Sequence, residues 1–90
     1  MDSAETGRFL RWVSQTAARV HPAIRATATP AGPPPRIAVE LTLGGRARRV
    51  EVPHESWVSY QDDPDWRAEW ERVIIRAAKL LVLETGPEPR

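Results

Sequence analysis

The run from Arg36 to Leu43 alternates strictly, and the Gly44-Gly45 pair that follows it constrains the fold more than any other feature of the chain. Ile37, Val39, Leu41 and Leu43 point one way, and Arg36, Ala38, Glu40 and Thr42 the other, which is the period of a half-buried strand. Two consecutive glycines supply the positive φ values of a two-residue hairpin turn. Such a turn dictates the register of the returning strand: Ile37 opposite Val52, Val39 opposite Val50, Glu40 opposite Arg49. Apolar pairs then meet on one face and opposite charges on the other, which supports this register. Arg48 and Arg46 break the pattern, because they fall opposite Leu41 and Leu43 on the apolar face. Either their charged ends reach back to water, or the hairpin meets something acidic there.

A hairpin with one apolar face needs a cover, and two helical segments can supply it. Near the start, Phe9, Val13, Thr16, Ala17 and Val20 share one side at helical spacing, with Leu10 and Trp12 at its margins and Arg8, Arg11, Gln15 and Arg19 opposite. Asp2 or Ser3 can cap this helix, with Glu5 completing a capping box, and Pro22 ends it. Asp62-Asp63-Pro64-Asp65 starts the second helix, with Asp63 as N-cap and Pro64 at the first helical position. Trp66, Trp70, Val73, Ile74, Ala77, Leu80 and Leu81 form its main stripe. Ile75, Ala78 and Val82 add a second patch about 100° further round, so more than half the circumference is apolar. Gly86 and Pro87 end this helix.

Between the first helix and the hairpin, Ile24, Ala26 and Ala28 alternate with Arg25, Thr27 and Thr29 as a further strand would. Pro30-Ala31-Gly32-Pro33-Pro34-Pro35 reads as a stiff loop. His54 to Gln61, with Trp57, Val58 and Tyr60, reads as a connector. The expected fold is therefore α+β, a helix, a three-stranded antiparallel sheet and a helix (αβββα), with both helices on one face of the sheet. Residues 1–86 form one domain and residues 87–90 a short tail. At ninety residues a chain buries only about 60–65% of its unfolded surface, so there is little room for a deep enclosed site. The four tryptophans suit a small core, since each can bury up to about 250 Å².

Function is constrained mainly by exclusion. The chain has no cysteine, hence no disulfide framework, thiolate nucleophile or cysteine-ligated zinc. His54-Glu55-Ser56-Trp57-Val58 opens like a zinc-protease helix but lacks its second histidine. Ser56 has no strand–turn–helix elbow around it. Asp62, Asp63 and Asp65 lack the glycine and distal glutamate of a calcium loop, and Gly44-Gly45 precedes no helix that could cradle phosphate. We expect no catalytic residue, metal or cofactor. Met1 to Glu5 is acidic and unlike a secretory signal. The longest run of large apolar residues, Leu80 to Leu83, is far below the roughly 20 needed to cross a bilayer, which makes a cytoplasmic protein the expectation. Twelve arginines against the single Lys79 match the codon usage of a GC-rich bacterial genome and imply no function.

The net charge of +1 hides an asymmetry. Residues 1–50 carry eight arginines against Asp2, Glu5 and Glu40, and residues 51–90 carry five basic against nine acidic groups. Such a layout can steer partners or copies of the same chain. Two readings follow. In the first, the chain is a protein-interaction or assembly subunit, most simply a homodimer, through Ile75, Ala78 and Val82 with Glu71 at their rim. The rival explanation of that patch is that the first helix covers it. In the second, the chain binds nucleic acid through Arg25, Arg36, Arg46, Arg48 and Arg49 on the sheet and hairpin.

The order helix–strand–strand–strand–helix resembles the double-stranded-RNA-binding-domain fold. Gly32-Pro33-Pro34-Pro35 before an alternating strand, then Gly44-Gly45, is similar to the family's loop–strand–turn pattern over about 25 residues. The resemblance implies RNA binding through a loop histidine and a lysine cluster at the start of the last helix. Here the histidine position falls near Pro35, and Asp62-Asp63-Pro64-Asp65 stands where the lysines would. HicA-type toxins share this fold, and the end of their last strand is similar to Arg49-Val50-Glu51-Val52-Pro53-His54. Their catalytic histidine would fall between Pro34 and Ile37, where this chain has none.

Overall fold

The computed structural model describes residues 3–85. The expected capping partner Asp2, the Gly86-Pro87 stop and the tail lie outside them. Helix α1 (Ser3–Ala18) leads to strand β1 (Arg25–Ala31), β2 (Arg36–Leu43) and β3 (Arg46–Pro53), then to helices α2 (His54–Tyr60) and α3 (Pro64–Thr85). The strands form one antiparallel sheet in the order β1-β2-β3. α1 rests on β1, α3 rests on both β2 and β3, and the two helices touch each other. The layout is the expected αβββα, with both long helices on the apolar face.

The hairpin has the register its turn dictates. Gly44 and Gly45 take φ of 57° and 80°, and Ile37 pairs with Val52, Val39 with Val50 and Glu40 with Arg49. Arg48 does face Leu41, and it meets an acid. Its Nε donates to Glu84 Oε1 at 2.6 Å, and Glu84 sits in the last turn of α3. That contact pins the end of the helix to the start of β3.

In two places the chain departs from its local reading. β1 begins two residues later than Ala23 and continues through Pro30 and Ala31, into the expected loop. Proline is tolerated because β1 is an edge strand, where an absent N–H costs no ladder bond. His54 to Tyr60, read as a connector, forms two turns of helix. No side chain caps its start, and Pro53 offers no side-chain acceptor. Its stability comes from Trp57, 2% exposed, which packs edge-on against Phe9 at 4.8 Å between ring centres. Trp12 and Trp66 flank it at 6.3 and 5.8 Å.

α3 starts as its sequence requires. Asp63 Oδ1 accepts from the backbone N–H groups of Asp65 at 2.8 Å and Trp66 at 3.3 Å, satisfying two donors that a helix start otherwise leaves unpaired. Trp66 Nε1 donates to Ser56 Oγ at 2.6 Å, tying α3 to α2. Asp63→Ala is expected to lower stability by about 1 kcal/mol. The shift in urea midpoint at unchanged slope measures it, and an unchanged midpoint would show that the cap is dispensable.

Candidate interaction surface

Which side of α3 is free follows from what lies beside it. On its inner side Trp66, Ile74, Ala77, Ala78 and Leu81 are buried. Glu71 accepts from Arg19 Nη1 of α1 at 2.7 Å, so the side carrying Glu71, Ile75, Ala78 and Val82 faces α1. Ala78 is 0% exposed and Val82 packs partly against the core; Ile75 is half-buried. The patch expected to receive a partner is largely buried within the chain, on the side of α3 that faces its first helix. The buried arc is rotated towards Ala78 relative to the stripe expected from spacing, because α3 has to serve two neighbours, the sheet and α1.

The same rotation uncovers the opposite side. Val73 and Leu80, expected in the core, are respectively 38% exposed and half-buried, and Leu83 is 74% exposed. At about 100° per residue these three fall on one side of α3, away from Glu71. The Arg48–Glu84 contact borders this side, so the stripe runs along the outer edge of β3. Spacing alone put Val73 and Leu80 with the core residues. The exposed apolar surface thus belongs to α3 as expected, but to its other flank. On α2, Val58 and Tyr60 are exposed as well.

The five sheet arginines do not form one cationic field. Arg36 Nε and Arg49 Nη2 both donate to Glu51 Oε2, at 3.1 and 3.0 Å, and Arg48 is held by Glu84. Among the described residues only Arg25 and Arg46 of the five have no acidic partner. Loss of hydration pulls the Glu51 carboxyl up, but hydrogen bonds from Arg36 and Arg49 and their positive charge together outweigh it. They hold the carboxyl below its ordinary value of 4.5, so Glu51 stays ionised and paired through the neutral range.

The open face of the sheet is polar. Thr27, Thr29, Ala38, Glu40 and Arg49 line a trough of about 240 Å³. At the sheet end away from the hairpin turn, Pro34, Pro35, Arg36, Glu51, Pro53, His54 and Glu55 surround a concavity of about 410 Å³. The His54 amide donates to the Pro35 carbonyl at 3.3 Å, joining two of these lining segments. Among the described residues no group of three or more histidine or acidic side chains is placed to hold a metal ion. No described helix is long and apolar enough to cross a membrane. Comparison with protein-family profiles, curated proteins and solved structures finds no match to this chain.

Proposed function

We propose that this chain is a non-enzymatic assembly module that associates with a second copy of itself through the outer flank of α3. The observation that carries the reading is the stripe of exposed Val73 and Leu83 and half-buried Leu80 beside the outer edge of β3. The alternative of nucleic-acid binding has less support, because Arg36, Arg48 and Arg49 are engaged by Glu51 and Glu84. Neutralised guanidinium groups release few counterions from a phosphate backbone.

Burying a leucine side chain contributes about 1.5–3 kcal/mol, or roughly 10- to 100-fold in affinity. Leu83→Glu should therefore raise the dimer dissociation constant by at least about tenfold while leaving circular dichroism unchanged, since Leu83 is largely exposed and makes little contact within the chain. Light scattering across micromolar concentrations reads the dissociation constant, and circular dichroism reads the fold. A wild-type mass that stays monomeric to several hundred micromolar, or a Leu83→Glu variant that remains dimeric, refutes the reading. A salt-sensitive gel shift with RNA or DNA would move the function to the arginines.

A further inference from the structure

We infer that two copies join edge to edge through β3, in the antiparallel register that places Val50 opposite Val50 of the second copy, giving one continuous six-stranded sheet. The inference rests on the self-association proposed above and adds its geometry. Among the described residues β3 is an edge strand, so its outward N–H and C=O groups have no strand partner there. The other edge, β1, is interrupted by Pro30, which has no N–H to donate.

Symmetry and charge select the register. A two-fold pairing sets one residue of β3 opposite itself. Centring on Arg48 or Arg49 opposes two arginines, centring on Glu51 opposes two carboxylates, and centring on Ala47 sets Arg46 against Arg48. Like charges directly opposite are destabilising. Centring on Val52 leaves only a short overlap before Pro53 and α2. With Val50 at the centre, Arg49 of each copy lies opposite Glu51 of the other. Those residues already pair within one chain at 3.0 Å, so the junction becomes a ring of four alternating charges on the open face. Val50, half-buried on the apolar face, meets its own copy.

The helices fit the same arrangement. α3 lies over β2 and β3 together, about one strand spacing of 4.8 Å from an axis running just outside β3. Two copies related by that axis bring their α3 helices to about 10 Å apart, within the range of packed helices. The flanks that meet carry Val73, Leu80 and Leu83. The stripe beside the edge and the charges along it point to one occupant, a second copy of this chain.

The chain has no cysteine, so single cysteines report the pairing directly. Opposed residues in an antiparallel pair sit about 4.5 or 5.5 Å apart, within disulfide range. Val50→Cys, oxidised with glutathione disulfide, should convert most of the chain to a linked dimer on a non-reducing gel. Arg49→Cys and Glu51→Cys, both at exposed positions, should link poorly alone and efficiently when mixed. Ala28→Cys on β1 should stay monomeric. If the protein dimerises in a Leu83-dependent way but Val50→Cys does not link and the mixture links no better than its parts, the edge pairing is wrong and the association stands. Linking through Ala28→Cys overturns the choice of edge. A monomer at all concentrations removes both.

Discussion

Trp57→Ala is expected to abolish cooperative folding. Trp57 touches Phe9, Trp12 and Trp66 and is the one large buried side chain of α2. Its removal empties the place where α1, α2 and α3 meet. Truncating a buried tryptophan costs about 3–5 kcal/mol, against a total stability of about 5–15 kcal/mol for a typical domain, with small domains at the low end. The indole Nε1 is buried without a hydrogen-bond partner among the described residues, so Trp57→Phe removes an unsatisfied donor along with some volume and should cost clearly less than alanine. Trp66→Ala should behave like Trp57→Ala, and the half-buried Trp70 should be more tolerant of the same change. Thermal melts of the four variants test this order. A Trp57→Ala protein that melts with the wild type would show that α2 is held by something other than its tryptophan.

Ala78→Asp is expected to destroy the fold rather than to dissociate a complex. Ala78 is completely buried on the side of α3 that faces α1, where Glu71 and Arg19 pair at the solvent boundary. A carboxylate at that depth would be stripped of water, and a buried charge without a partner costs several kcal/mol. Loss of the near-ultraviolet dichroism of the tryptophans is the readout. A folded, monomeric Ala78→Asp protein derived from a dimeric parent would instead return this side of α3 to the role of interface. Together with Leu83→Glu, the variant assigns the two apolar flanks of one helix to separate tasks, one to the chain's own core and one to association.

These two helix flanks show how far the sequence could be read. That α3 is apolar over more than half its circumference was plain from spacing, as was the excess of apolar surface over what one sheet needs. Which flank is in excess was not. Periodicity reports the direction of each side chain about the helix axis, and it contains no information on where α1 will lie. Composition and spacing alone therefore point to the patch Ile75, Ala78 and Val82, because they leave out the neighbouring helix. Trp57 was hidden for a related reason. A two-turn helix is too short to display a period, and its burial depends on Phe9 and Trp12, more than forty residues earlier in the chain.

Local chemistry determined the rest of what the sequence by itself decided. Two glycines settle a turn, the turn settles a register, and alternation settles which face of the hairpin is apolar, all within residues close in the chain. Asp63 and Pro64 likewise determine where α3 begins, because the orphan N–H groups of a helix start are satisfied from the adjacent residue. Arg48 marks the boundary between the two kinds of knowledge. Its place opposite Leu41 showed that a charge on the apolar face needed water or an acid. Only the tertiary structure, by laying the last turn of α3 across the start of β3, supplied Glu84 as that acid. Its position is set by the packing of α1, α3 and the sheet around one core, which no local pattern encodes.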